Sequence, residues 1–356
     1  MGLKILHTAD WHLDSPFSSL PPETGAFLHQ AQQELPELIA DVCRREKCDL
    51  ILLAGDLFDG SPSRQTLERV KRALERCAVP VCIAPGNHDY WAEGSPWEAG
   101  DWPRNVHIFT GGLDYVDFPE LDCRVYGGGY RSMDCPPLLE DFRAEGDARW
   151  CVGVLHGDAM NLSSPYCPVT AAQVRESGLD YLALGHIHST GSFRAGESLC
   201  AWPGCPMGRG WDETGEKGIL LVELEQTAAA AFVPLPLPGF FNLTVQIGGD
   251  AQAALEAILP PGQSRDLFRV RLTGSGSVDL AQLRRRFSYL GYLELRDETE
   301  EEIDPFDMAG EDSLRGTYFR LLREELEKAD DERAEVIRLA ASISARLLEG
   351  KEVHLP

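Results

Sequence analysis

Long apolar runs are missing from this 356-residue chain. No stretch approaches the roughly 18 consecutive apolar residues of a membrane span, so none is expected. The amino terminus, Met1-Gly2-Leu3-Lys4-Ile5-Leu6, lacks a basic region, apolar stretch and small-residue cleavage site in series. A secretory signal is therefore not expected, and a cytoplasmic protein is. No Cys-x-x-Cys pair occurs among the ten cysteines; Cys43/Cys48, Cys77/Cys82 and Cys200/Cys205 are each separated by four residues. Most sit among apolar neighbours, as in Val81-Cys82-Ile83 and Trp150-Cys151-Val152. Plain buried thiols in a reducing compartment are the expectation. Gly-x-Ser-x-Gly and P-loop patterns are also absent, so neither a serine nucleophile on an elbow nor a P-loop phosphate cradle is expected.

Positive charge is scarce as well: 33 Lys and Arg stand against 57 Asp and Glu, a net charge of −24. Such a surface argues against passive, electrostatically driven binding to nucleic acid. The acidity is uneven, with residues 294–335 holding 17 acidic and 6 basic side chains. Arg284-Arg285-Arg286 is a compact basic run, read as a solvated helix face.

What the chain does have is alternation of short apolar runs with amphipathic stretches. Leu3–Ala9 reads as a strand, followed by a helical pattern with Phe27, Ala31, Leu35, Leu38 and Val42 on one face. Leu50–Ala54 reads as a second strand. Ser63 precedes a helix carrying Leu67, Val70, Leu74 and Cys77, and Val79–Ala84 is a third strand. This order implies right-handed crossovers and a largely parallel sheet. Cys123–Tyr126, Cys151–Leu155, Tyr181–Leu184, Gly218–Leu224 and Ala230–Leu235 read as later strands, several without intervening helices, which suggests a second, more antiparallel sheet. Pro234, Pro236, Pro238 and Gly239 mark a stiff break. The expected division is residues 1–238, a small α/β cap at 239–298, and 299–356 as an acidic linker with two amphipathic helices. Asp297–Asp312 reads as the solvated part of that linker.

Each strongly polar cluster follows an apolar run, at the carboxyl end of a strand, where open α/β sheets bind ligands. They are Asp10-Trp11-His12, Gly55-Asp56-Leu57-Phe58-Asp59, Gly86-Asn87-His88-Asp89, His156-Gly157-Asp158 and His186-Ile187-His188. Taken singly, each is equally a polar loop or a satisfied core histidine. Together they hold five of the nine histidines; His7, His29, His107 and His354 lack such company and read as structural or surface. Carboxylate, imidazole and amide oxygen without thiolate suit Mn, Fe or Mg ions and tolerate Zn. One carboxylate must bridge if two ions are to lie roughly 3.5–4 Å apart and clamp a phosphate ester.

This set of motifs resembles the signature of the calcineurin-like metallophosphoesterases over about residues 3–225. The resemblance implies a four-layer α-β-β-α sandwich. It implies that Asp10, His12, Asp56 and His188 hold one metal ion, and that Asp56 as the bridge, Asn87, His156 and His186 hold the other. His88 would protonate the leaving oxygen or stabilise phosphoryl charge. Asp59 would orient His88, or would serve merely as a carboxylate near a helix start. Ala9–Phe17 and Gly55–Asp59 are similar, more narrowly, to the SbcD/YhaO-like branch of DNA repair exonucleases. That likeness implies manganese, a DNA substrate, a dimer, and C-terminal helices that dock an SbcC- or YhaN-like coiled-coil ATPase; helices packed on the cap are the alternative. A phosphodiesterase or phosphatase on a small molecule or phosphoprotein would use the same metals. A non-catalytic binding module is disfavoured by the intact ligand set with His88.

Overall fold

The apolar runs pair as two six-stranded sheets. In this computed structural model, which describes residues 2–98, 100–276, 278–299, 304–348 and 350, the chain opens with β1 (Leu3–Thr8), α1 (Pro22–Gln32), α2 (Leu35–Glu46), β2 (Leu50–Leu53), α3 (Arg64–Cys77), β3 (Val81–Ile83) and β4 (Val106–Ile108). β5 (Asp114–Phe118), β6 (Cys123–Gly128), β7 (Trp150–His156), α4 (Ala171–Glu176), β8 (Tyr181–Gly185), β9 (Gly191–Ala195), β10 (Ser198–Trp202), β11 (Gly218–Leu224) and β12 (Ala228–Pro234) follow. The first sheet runs β12-β11-β1-β2-β3-β4, the second β5-β6-β7-β8-β10-β9. β1 to β4 are parallel, and β11 and β12 add antiparallel strands at one side.

Period-two burial explains the layers. Ile5, Leu50, Leu52 and Cys82 of the first sheet share one core with Val125, Val152, Val154, Tyr181 and Ala201 of the second. The opposite faces, Leu6, Ile51, Leu53, Val81 and Ile83, lie under Leu35, Ile39, Val70 and Leu74 of α2 and α3. Across the second sheet, Leu182, Leu184 and Cys200 pack with Val174 of α4. The result is the expected α-β-β-α sandwich. All ten cysteines are free thiols.

The structure departs from the pattern reading in places. The single helix expected across Phe27 to Val42 is two helices, with a break at Gln33-Glu34 and Pro36 in the first turn of α2. Phe27 is exposed rather than facing the core. The short strands β4, β5, β9 and β10 and the helix α4 are additional.

Downstream are β13 (Phe240–Gly248), α5 (Ala251–Glu256), β14 (Leu267–Ser275), α6 (Leu280–Arg286), β15 (Tyr292–Asp297), α7 (Leu314–Leu326) and α8 (Asp331–Leu348). β13-β14-β15 form a third sheet in that order. By compactness the chain divides into Met1–Asn242 with Gly262–Arg269 and Tyr289–Glu294, and a second unit of Leu243–Pro261, Val270–Ser288 and Leu295–Pro356. In the second unit, Phe319, Ala341 and Ala345 of the terminal helices bury Met308 and Ala309. The stretch read as solvated linker is therefore packed in part; its residues 300–303, like His354, lie outside the described residues.

Candidate active site

Five strand ends carry the polar motifs, and the ladder continues past the strands to fix them. The Asp10 N–H donates to Gly55 O and the His12 N–H to Asp56 O, both at 3.0 Å. Asp10, His12, Asp56 and His186 then turn into the left-handed region, at φ 53°, 44°, 52° and 86°. Such backbone costs of order 1–3 kcal/mol per non-glycine residue and collects where side chains must be aimed. Two glycines let the loops close in. Gly55, at φ 89°, lies so near His156 that a Cβ there would overlap the ring, and a Cβ on Gly86 would overlap the Asp56 carboxylate.

Asp56 stands at the centre, fully buried. Its Oδ2 lies 3.7 Å from His12 Nε2 and 3.3 Å from His156 Nε2, so one oxygen faces two imidazoles. Its Oδ1 accepts from the His88 N–H at 2.8 Å. On one side, His12 Nε2 is 3.3 Å from His188 Nε2, and His188 Nε2 is 3.8 Å from Asp10 Oδ1. On the other, His156 Nε2 is 3.0 Å from Asn87 Oδ1. Donor atoms of Asp10, His12 and His188, of Asp10, Asp56 and His156, and of His12, Asp56 and His88 each converge closely enough to share an ion. His186 is set slightly apart. Its backbone N–H donates to both Asp10 oxygens, its ring meets His156 edge-on at 5.3 Å, and its Nε2 is 3.8 Å from Asp158 Oδ2.

Tautomers show that these residues suit cations. His156 Nδ1 donates to Ala54 O at 2.8 Å, which turns the other ring nitrogen toward acceptors only, Asn87 Oδ1 and Asp56 Oδ2. His188 Nδ1 donates to Glu213 Oε1 at 2.7 Å, so its bare Nε2 likewise faces His12 Nε2 and Asp10. Ring nitrogens and carboxylate oxygens aimed at common points are an arrangement that a cation among them satisfies. A proton on His156 is one way to provide it: burial lowers that pKa, but the Asp56 carboxylate beside it raises it to about 10. A divalent ion is the other. Burial also lifts the Asp10 carboxyl above its ordinary range, against the pull of His156 and His188. Burial holds His12 near 3 and His186 near 4, which keeps both neutral and available as ligands.

His88 lies at the mouth, with its ring 4.8 Å from that of His12. Its Nδ1 donates to Asp59 Oδ1 at 3.1 Å, and Ser15 Oγ donates to Asp59 Oδ2 at 3.0 Å. The His88 bond holds the Asp59 carboxyl down at about 2, and in return Asp59 raises His88 above its ordinary value.

Several functional neighbours had no role assigned from the sequence. Asp89, the last residue of the third motif, accepts from the N–H groups of Gly86, Leu57 and Phe58 at 2.8, 2.7 and 3.2 Å, tying the second loop to the third. Gln32, at the end of α1, donates to the carbonyls of Trp11 and His12 at 3.3 and 2.9 Å. Glu213 and Arg209 sit behind His188, outside the polar motifs of the sequence.

Residues 3–190 match the family model described as calcineurin-like phosphoesterase. The chain belongs to that family. The phosphoesterase is 34% identical over 239 residues to an uncharacterised metallophosphoesterase, YhaO, of Bacillus subtilis; the match spans 62% of this chain and 57% of that protein, so under two thirds of the relative's length is covered. It is 23% identical over 328 residues to the SbcD component of the SbcCD nuclease of Staphylococcus epidermidis, covering 82% and 85% of the two chains. Among solved structures it is similar to a Thermus thermophilus protein, with a TM-score of 0.43, 13% identity and coverage of 65% and 99%. A dimetal phosphatase from Danio rerio gives 0.42, 13%, 65% and 98%. The enzyme is a metal-dependent phosphoester hydrolase that resembles the SbcD/YhaO-like proteins, and its clustered side chains suit divalent metal ions.

Proposed function

We propose that the phosphoesterase cleaves phosphodiester bonds in DNA as a manganese-dependent nuclease working with an SbcC-type ATPase, with residues 1–238 as its catalytic domain and 239–298 as a cap. The observation that carries the two-metal part is the single buried Asp56 oxygen facing both His12 and His156. Asp10, His12, Asp56 and His188 would hold one ion, and Asp56, Asn87, His156 and His186 the other. Bound divalent ions supply Lewis acidity at the phosphoryl oxygens and a nucleophile drawn from water at neutral pH. The chain's own contribution is alignment and proton supply. His88, kept protonated by Asp59, would give its proton to the leaving oxygen as the P–O bond breaks.

The DNA substrate is supported by the likeness to a nuclease component over 82% of this chain. The partner is supported by the terminal helices. Phe319, Ala341 and Ala345 bury a small core with Met308 and Ala309, while Leu314, Leu321, Val336 and Leu347 stay exposed. The alternative, a small-molecule or phosphoprotein diesterase or phosphatase, is favoured by the net charge of −24. Hydrolysis of labelled single- and double-stranded DNA, compared with bis-p-nitrophenyl phosphate, separates the two. The nuclease reading expects Mn²⁺-dependent, EDTA-sensitive DNA cleavage, at least in the presence of the coiled-coil ATPase. Diester turnover with no cleavage of either DNA form under those conditions would leave the alternative standing. In the same assay His88→Ala is expected to bind metal normally and turn over at least tenfold more slowly.

A further inference from the structure

Behind His188 lies an ion pair whose geometry exceeds what bracing one imidazole requires. Glu213 Oε1 accepts from His188 Nδ1, and the same carboxylate accepts from four Arg209 contacts: backbone N at 2.8 Å, Nε at 3.3 and 3.4 Å, and Nη2 at 2.8 Å. Arg209 Nη2 is also 3.2 Å from His188 Nδ1, but both are donors there, so Glu213 is what joins them. The Nε–Nη2 edge of the guanidinium is thus occupied. Nη1 has no hydrogen bond among the described residues. The group is also not sealed away: the Arg209 side chain is 23% exposed and that of His188 29%.

It stands directly against the site: Arg209 Nη2 lies 3.2 Å from the ring of His188, and the Glu213 carboxylate that holds Arg209 also bonds His188, one of the residues assigned to the ions. A fixed guanidinium with one free edge, beside buried carboxylates and imidazoles, is a standard means of holding a phosphate oxyanion.

We propose that Arg209 binds a non-bridging oxygen of the substrate phosphate through its free edge, and that Glu213 is the positioning residue that holds both Arg209 and His188. This rests on the phosphoesterase reading of the site and adds the side chain that orients the phosphate. Glu213 would aim the guanidinium and, by accepting from His188 Nδ1, keep His188 Nε2 bare toward the ions.

The test measures three quantities on the full chain: Mn²⁺ stoichiometry by elemental analysis, affinity of the Mn²⁺-loaded protein for inorganic phosphate by calorimetry, and KM and kcat for bis-p-nitrophenyl phosphate. Arg209→Ala is expected to keep its Mn²⁺, bind phosphate at least tenfold more weakly and raise KM similarly, with Arg209→Lys recovering part of the loss. Glu213→Gln still accepts from His188, so it should keep Mn²⁺ while losing phosphate affinity as Arg209→Ala does. Wild-type phosphate affinity and KM in Arg209→Ala would overturn the inference, as would a loss of Mn²⁺ in that variant with folding intact by circular dichroism. Should Arg209→Ala not fold, Arg209→Gln decides by the same criteria. A wild type inactive with Mn²⁺ overturns the underlying reading too, whereas an active wild type with an indifferent Arg209 overturns this inference alone.

Discussion

His7 shows how a histidine one strand position from the active-site loop is kept out of the chemistry. It is fully buried on β1, and its Nε2 donates to Leu184 O at 3.1 Å while Nδ1 accepts from the Tyr181 hydroxyl at 2.7 Å. Only the neutral ring satisfies both bonds, and burial lowers its pKa to about 3, against the opposing pull of the Leu184 carbonyl. In the unfolded chain the ring titrates near 6.5. The folded state therefore favours the neutral form. Its contribution is fully present above pH 6.5 and is lost as pH falls from there toward 3, by roughly 1 kcal/mol per pH unit. In EDTA, urea unfolding should show His7→Gln less stable than wild type at pH 7.5, with the gap narrowing at pH 5.5. A gap that does not change with pH would contradict this assignment. At this scale the sequence was informative about residue types and poor about support. The Asp, Asn and His motifs announce metal chemistry by composition and spacing. Gln32, Glu213 and Arg209 are ordinary polar residues until the fold brings them behind the motifs, and Asp89 shows its loop-tying role only in the fold.

Among the elements, the break between α1 and α2 is tied to the site. An amphipathic pattern runs through Gln33-Glu34 without interruption, which is why periodicity reads one helix. The chain ends α1 early and sets Gln32, 1% exposed, against the Asp10–His12 loop. Asp14 ties the same loop outward by accepting from the Ser63 N–H and the Thr66 hydroxyl, both at 2.7 Å. Gln32→Ala removes the side-chain donor to the Trp11 carbonyl, while the His12 carbonyl keeps its bonds from Ser15, and should cost about 1–3 kcal/mol. Urea midpoints check the stability, and Mn²⁺ titration should show weaker binding as the His12 loop loosens. Unchanged values in both would mean that the loop is held by its ladder bonds alone. The elements that pattern reading missed share a cause. β4 has three residues, and β5 and β9 close the two ends of the second sheet. β10 exists because β8 and β9 flank it. Pairing partners, not local propensity, decide such strands. The long buried strands β1, β2, β7 and β8 needed no such help, and they place the candidate ligands.

For the molecule as a whole, the sandwich brings two sheets' worth of strand ends to one place, so residues 176 apart in sequence, His12 and His188, face each other across 3.3 Å. The order of motifs made that convergence legible in advance, because each lies at the same end of its strand. The overall acidity was equally legible, yet it bears on the substrate and not on the fold. A surface at −24 offers few cations for phosphates away from the site. Local charge, from divalent ions and from Arg209 as proposed above, would then have to hold the scissile group. Asp56 is the carboxylate shared between two candidate ligand groups. The direct test of that sharing is Mn²⁺ content and bis-p-nitrophenyl phosphate turnover of Asp56→Asn beside wild type, with folding checked by circular dichroism. Two ions per chain are expected in the wild type, and loss of both metal and at least roughly 10³-fold of the rate in the folded variant. A folded Asp56→Asn protein that keeps two ions and near-normal turnover would contradict the account.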